Sequence, residues 1–423
     1  MINLYFEKII LLILSLLPLG IILGQSVSTS FIITICILFL ILSIRKNNWL
    51  WMEEKYIKIL FLLYLYLIFN SIISQNPSLA LNRNLGFARY IILIPAIVMV
   101  LNKAKNRNFL ILVWMFTIFL TCLDVYFEFF NDRNLLGFES SYGNRVVSFF
   151  KDEPVVGGFL YSFFLIIVGY FYKNKKTKSN LFIFIRYLII ISLLISIVLT
   201  GERSNTIKAT IAIIIFLLII ENIPIYKKLF AIAFLSFGFL YLVNSVEFLK
   251  LRYNDQLFDK INSQKKIYQF YQNNIYFKHY RSAIEIFKKH PFFGVGNKNY
   301  GHYCFKDQYI HLKKIPDRFF GTKSYLGTVC STHPHQIYFE LLAEHGIFGT
   351  IFLLSAIFSI ILMNIKNYLI FKNPIHLGSI IFISISFVPI IPSGSFFSSS
   401  YSTIFWLIFS IMLSYEKIGN NKY

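Results

Sequence analysis

Leu181–Asn205, LFIFIRYLIIISLLISIVLTGERSN, decides how this chain is read. Residues 181–200 form an apolar run of the length that crosses a hydrocarbon core, and the run ends directly in a Gly-Glu-Arg-Ser-Asn turn. Comparable apolar runs occupy about 8–24, 30–44, 56–74, 87–101, 109–130, 154–172, 206–220, 229–246, 347–364, 377–391 and 403–415. The chain is 56% hydrophobic and 14% charged, too few polar groups for a water-soluble surface over 423 residues. The pattern predicts an all-α membrane protein of about 12 transmembrane helices with one large periplasmic loop containing amphipathic helices. No small-residue cleavage site follows the first run, so it reads as an uncleaved helix rather than a signal peptide.

Basic clusters orient the helices. Arg45, Lys46 and Lys55; Lys103, Lys105 and Arg107; Lys173, Lys175, Lys176 and Lys178; Lys227 and Lys228; Lys366 and Lys372; and Lys417 and Lys422 fall on one side if the runs number twelve. That side is then cytoplasmic, both termini with it, in a bacterial inner membrane. The chain divides into residues 1–246 with helices 1–9, a large outward loop 247–346, and residues 347–423 with helices 10–12 and a cytoplasmic tail. The net charge of +21 follows from Lys in topology-setting loops and from a composition rich in Lys, Asn, Ile, Phe and Tyr; it does not call for nucleic acid.

The polar stretch is structured rather than a linker. Ile275–His290, IYFKHYRSAIEIFKKH, carries apolar residues at helical spacing with Lys and Arg opposite, and Pro291 ends it. His290–Gly301, HPFFGVGNKNYG, is a Gly- and Asn-rich turn, with His290 and His302 as structural flanks. Cys36 and Cys122 lie in apolar runs as plain core residues. Cys304 and Cys330 share the loop, where an oxidising compartment permits a disulfide, two free thiols being the alternative.

Arg203 stands at an outer helix end, against the positive-inside bias. It reads either as a snorkelling anchor or as a clamp for an anionic headgroup, since guanidinium offers a planar fork of donors to phosphate oxygens. Glu202 would orient it or pair with it. Arg281, beside His279 and Tyr280, is the second clamp candidate, its alternative being a solvated helix face. Arg83, Arg89 and Arg145 are weaker outward cases.

In Thr332–Gly346, THPHQIYFELLAEHG, Pro334 suits the first position of a helix, which puts His333 near the cap and His335 in the first turn. The positive end of a helix dipole keeps imidazole neutral, as a general base requires. Glu340 and Glu344 follow on the same helix, placed to tune a neighbour. A metal pair at His333 and His335 lacks third and fourth ligands at a diagnostic spacing, and structural polar residues at a helix start are the other alternative.

Taken together, GERSN after a helix, Arg281 running into HPFFGVGNKNYG, and THPHQIYFELLAEHGIFG resemble the O-antigen ligase and polymerase superfamily of integral membrane glycosyltransferases. The resemblance implies transfer of a glycan from undecaprenyl diphosphate on the periplasmic face, to lipid A–core by a ligase or to another lipid-linked repeat unit by a polymerase. It implies no metal and no other cofactor, with partners limited to the lipid-linked glycan, the acceptor and membrane lipid. It places Arg203 and Arg281 on the diphosphate and His335 as the base, with His333 competing. Gln336 stands where the family has Asn. A transporter for an anionic lipid or sugar is the reading from another class; it would place its polar groups near the midplane, whereas here they gather at helix ends.

Overall fold

A computed structural model describes residues 2–140, 145–151, 153–173, 179–221, 223–256, 263–306, 315–316, 325–326 and 328–416. Lys175, Lys176, Lys178, Lys417 and Lys422 of the basic clusters lie outside the described residues. The chain is a helical bundle. Its helices are α1 (Ile2–Ser15), α2 (Leu17–Leu23), α3 (Gln25–Lys46), α4 (Lys55–Ile72), α5 (Pro77–Leu85), α6 (Ala88–Leu101), α7 (Ala104–Asn131), α8 (Val156–Lys173), α9 (Asn180–Leu199), α10 (Arg203–Ile219) and α11 (Ile225–Ser245). The polar stretch folds as α12 (Glu247–Lys250), a π turn at Leu251–Asp255, α13 (Gln264–Asn273), α14 (Ile275–Lys289) and α15 (Tyr300–Lys306). The chain then returns as α16 (Ile337–Phe371), α17 (Pro374–Ile385) and α18 (Ser399–Glu416). One antiparallel pair of two-residue strands, Ile315–Pro316 with Tyr325–Leu326, departs from the all-helical expectation.

Each of the twelve apolar runs is helical, but fewer meet the requirements of a full crossing. Among the described residues eight helices are long and apolar enough to span a membrane, and nine if α1 and α2, bent by 48° at their junction, count as one. The expected twelve exceeds this for a physical reason: α10 has 17 residues and α17 only 12, short of the roughly 20 that cross a bilayer core. Large apolar side chains face outward where lipid would solvate them, as with Phe230 and Phe237 of α11, 73% and 72% exposed. Inside, α8 packs on α17 and α6 on α18. Small residues let α8 and α17 approach closely, for a Cβ on Gly169 would meet the Pro374 carbonyl oxygen at 2.5 Å.

The longest helix is broken where it matters. At Gly346, φ is 65° and ψ −168°, so α16 consists of a first segment up to His345 and a membrane-grade segment after it. A helix break strands backbone donors and acceptors. Here the turn after α14 takes them up. Ile347 and Phe348 N–H donate to the carbonyls of Pro291 and Phe292 at 2.8 and 3.3 Å, while Val295 and Gly296 N–H donate to those of Ala343 and Glu344 at 3.0 and 2.8 Å. The chains meet backbone to backbone: a Cβ on Gly346 would lie 2.3 Å from the Phe292 carbonyl carbon, and one on Gly294 2.3 Å from that of Glu344. Asn70 of α4 locks the turn, its amide donating to the Phe293 carbonyl at 3.0 Å and its oxygen accepting from Asn297 N–H at 3.0 Å.

Above the break, α14 lies along the first segment of α16, with Tyr280 stacked on Phe339 at 4.5 Å. A small second core of Ala283, Ile286, Val295, Tyr300, Cys304, Cys330 and Ala343 fills the space between them.

Gly346→Ala should cost about 3 kcal/mol or more, combining a glycine-only backbone conformation with a main-chain clash. Gly238→Ala on α11, where nothing lies within 4 Å, should be neutral. Thermal melts of the two variants in detergent check this; equal midpoints would contradict the account of the break.

Candidate active site

The segment that carries the histidines is held at both ends. At the start, the Ser282 hydroxyl of α14 accepts from Val329 N–H at 3.1 Å and donates to its carbonyl at 2.8 Å, and a Cys304–Cys330 disulfide (Cα–Cα 5.6 Å) joins α15 to the same point. At the end, the His335 carbonyl accepts from Ser393 N–H at 2.8 Å. The expected helix start is corrected: the helix begins at Ile337, not at Pro334. Gln336 is the cap, its side-chain oxygen accepting from Tyr338 and Phe339 N–H at 2.8 and 3.2 Å, and His335 has φ +58°, which no helical residue adopts. His333 and His335 therefore lie in a tight turn ahead of the helix.

Three imidazoles meet there. The rings of His333 and His335 are 4.1 Å apart, those of His279 and His335 5.3 Å, and Tyr276 stands edge-on to His335 at 5.7 Å. His279 Nδ1 is engaged with the Val329 carbonyl at 3.0 Å and His333 Nδ1 with the Thr332 hydroxyl at 3.1 Å. His335 Nε2 has only a 3.5 Å approach from the Ser331 hydroxyl, and the buried His333 Nε2 has no partner among the described residues. Burial, then the His335, Lys298 and His279 charges, pushes the His333 pKa down to about 3. Burial, then His279, pushes His335 to about 4. The imidazoles are neutral, as expected, but through burial and mutual repulsion rather than a helix dipole.

Across Tyr276 lies an arginine group. Arg203 begins α10 and donates to the Gln256 carbonyl at 3.3 Å. Arg252, in the π turn, donates through Nη2 and Nε to the Gly201 carbonyl at 3.0 and 3.3 Å and through Nη1 to the Gln256 side-chain oxygen at 3.0 Å. Arg145 lies within electrostatic reach of both, and Tyr276 within reach of Arg203. Burial, with the Arg145 and Arg203 charges added, brings Arg252 down to about 10. Among the described residues no carboxylate forms an ion pair with Arg203 or Arg252. Cations gathered without an acid suit an exchangeable anion.

Glu202 does not supply that acid, which corrects the expected pairing with Arg203. Its carboxylate accepts from Gly157 and Gly158 N–H at the start of α8, at 2.7 and 3.1 Å, and from the Asn205 amide at 2.6 Å. The positive end of α8 favours a carboxylate at this point. Burial raises its pKa to about 7 against these hydrogen bonds and the Arg145 charge. Arg281 is 5% exposed and set apart by its bonds: two N–H groups go to the Tyr271 and Gln272 carbonyls at 3.1 and 3.2 Å, and its guanidinium lies 5.3 Å from the Tyr271 ring. It fixes the end of α13 against α14.

Glu340 and Glu344, both fully buried, face a cation that sequence reading missed. Lys298, at φ +60° inside the turn, donates to the Ser395 hydroxyl at 2.7 Å and acts electrostatically on both carboxylates and on His333. Glu340 accepts from Ser395 Oγ and Phe396 N–H at 2.5 and 2.9 Å; Glu344 accepts from Tyr300 N–H at 3.2 Å. The carboxylates thus order the Lys298 turn and the 393–398 loop under the histidines. A lysine inside a Gly/Asn turn was the one available signal. Arg252, hidden in a nondescript LRYND run, offered none.

Residues 187–354 match the family model described as O-antigen ligase. Over this stretch the chain is similar to O-antigen ligases. The matched stretch takes in Arg203, Arg252, Arg281, Lys298, all three imidazoles and both carboxylates. No curated protein matches the chain. The apolar helices are those of a multi-pass membrane protein, and the similarity suggests a glycosyltransferase-like enzyme.

Unfolded imidazoles take up protons near 6.5, whereas folded His335 and His333 wait until about 4 and about 3. Between these values the unfolded state binds more protons, so stability should fall as pH drops from 6.5 towards 4. Melting temperature measured over that range should decline, and a His333→Gln, His335→Gln double variant should decline less steeply. Parallel curves would show that the imidazoles are not protected.

Proposed function

We propose that this protein transfers a glycan from undecaprenyl diphosphate to lipid A–core on the periplasmic face of the inner membrane. The observation that carries the proposal is a pair of imidazoles with weakly engaged Nε2 atoms facing Arg203 and Arg252, which form no ion pair among the described residues, with Tyr276 between them. Glycosyl transfer needs both parts. The acceptor hydroxyl oxygen attacks the anomeric carbon, the bond from that carbon to the diphosphate oxygen breaks, and undecaprenyl diphosphate leaves with the electron pair. His335 Nε2 takes the hydroxyl proton. Arg203, Arg252 and Arg145 meet the charge that grows on the leaving diphosphate, where preorganised cations act most strongly. Attack from the face opposite the diphosphate inverts the anomeric centre.

The other residues support this arrangement. His333 is the alternative base; its Nδ1 is already engaged with Thr332. Arg281 contributes by holding α13, Glu202 by anchoring the Arg203 turn to α8, and Glu340 and Glu344 by ordering the turn below. The reading requires no metal and no nucleotide sugar. It also requires the loop to face outward, as it does after an odd number of crossings from a cytoplasmic N-terminus.

The test is a reaction in vitro with purified protein, undecaprenyl-diphosphate-linked glycan and lipid A–core, with EDTA and without nucleotide. His335→Ala should lower transfer by about 10²–10⁴-fold, the usual worth of a general base. Arg203→Ala and Arg252→Ala should each lower it by about 10²-fold or more. Because His335 stays neutral down to about 4, the wild-type rate should hold from pH 8 to 5 and decline only below that. Longer lipid-linked chains from donor alone would replace the ligase reading with a polymerase. Full transfer by His335→Ala would remove this residue as the base.

A further inference from the structure

Two arginines outside the matched stretch remain unused by the proposed mechanism, and the fold brings them together. Arg83 lies in the last turn of α5 and Arg89 in the first turn of α6. The Arg89 guanidinium folds back over the corner between the two helices. Its Nη1 is only 2.8 Å from where a Cβ on Gly86 would stand, and that point is 3.4 Å from the Arg83 carbonyl oxygen. The Arg89 charge lies within electrostatic reach of Arg83. The backbone there is tied into the bundle, the Arg89 carbonyl accepting from Cys36 Sγ of α3 at 3.1 Å.

The partners present are too few. Arg83 Nη1 donates to the Ser399 hydroxyl at 2.5 Å. Arg89 Nη2 donates to the Tyr90 hydroxyl at 3.2 Å, with the guanidinium 4.7 Å from the Tyr90 ring centre, and Arg89 Nε is buried with no acceptor among the described residues. The single carboxylate acting on Arg83 is Glu344, which Lys298 also claims and which accepts from Tyr300 N–H. Among the described residues neither arginine forms an ion pair.

Their position relative to the base is equally telling. One loop connects them: Ser393 N–H holds the His335 carbonyl, and Ser399 holds Arg83. Six residues, fully extended, span about 20 Å at most. Arg203 and His335 share Tyr276 as a neighbour, whereas Arg83 and Lys298 share Glu344. A reaction that joins a donor diphosphate to an acceptor hydroxyl has the acceptor enter from the side away from the leaving group.

We propose that Arg83 and Arg89, with the Ser399 hydroxyl, form a second anion subsite that takes a phosphate carried by the acceptor glycolipid. This rests on the glycosyl-transfer reading and adds that the acceptor is an anionic, phosphorylated lipid, recognised independently of the donor. The guanidinium fork supplies paired donors to phosphate oxygens.

The experiment uses the full-length protein in detergent, with lipid A–core and the same lipid A–core after phosphatase treatment. Donor-free binding of each is read by native mass spectrometry, and transfer kinetics are read in parallel. Native protein should bind the phosphorylated form about tenfold or more tightly, and Arg83→Gln and Arg89→Gln should erase that preference while leaving the KM for donor unchanged. Arg83→Lys, which keeps the charge without the fork, should restore part of it and controls for folding. Equal binding of the two acceptors by native protein, or a preference that survives both Gln variants, overturns the subsite. Displacement of the acceptor by phosphatidylglycerol at equal concentration would assign the arginines to bulk anionic lipid and overturn it as well; no displacement by phosphatidylglycerol or inorganic phosphate supports it. Normal acceptor discrimination without any transfer would retain the subsite while refuting the glycosyl-transfer reading.

Discussion

The break at Gly346 is the constraint on which the rest of the structure depends. A membrane offers no water to an interrupted helix, so the groups freed there must be satisfied by protein. The HPFFGVG turn does this with four backbone hydrogen bonds, two into the break and two out of it. Because the fit is backbone on backbone, only glycine serves at Gly294 and Gly346. Once the turn is seated, α14 must lie along the first segment of α16, Lys298 must point under the histidines, and Asn70 and Asn297 must lock α4 to the loop. The polar layer is in this sense an extension of the transmembrane bundle.

Charge is distributed unevenly over that layer. The buried carboxylates accept from structural donors: Glu202 at the start of α8, Glu340 from Ser395 and Phe396, and Glu344 through Oε1 from Tyr300, its Oε2 having no partner among the described residues. The guanidiniums of Arg203 and Arg252 are held by carbonyl and amide oxygens, which orient a cation without neutralising it. Positive charge is thus left available beside the imidazole cluster. Such an arrangement favours a reaction in which negative charge moves onto a leaving group while a proton moves onto nitrogen.

Part of this was legible in the sequence, for reasons that differ from residue to residue. α14 was legible because its apolar residues recur at helical spacing and Pro291 stops it; the helix spans Ile275–Lys289. The break in α16 was not, since AEHGIFG differs little from an unbroken apolar helix until the turn that fills the gap is present. The start of α16 was misjudged because proline favours the first helical position, but Gln336 is the better cap once its side chain reaches two N–H groups. Glu202 was matched to its neighbour in sequence, whereas its partners lie 45 residues away at Gly157 and nearby. Arg252 and Lys298 carried no local pattern, because a cation's role in a site is set by what surrounds it.

The sequence by itself determined a membrane-embedded helical chain, the polar stretch that interrupts it, and the residue types available for chemistry there. Those follow from hydropathy and short-range periodicity, which depend on neighbouring residues alone. Only the tertiary structure decided which of these residues meet. It joined the turn to the helix break, set three imidazoles within contact of one another, gathered Arg145, Arg203 and Arg252, and brought Arg83 to Ser399 across 316 residues. Such meetings depend on satisfying buried polar groups over long sequence separations, which no local pattern records.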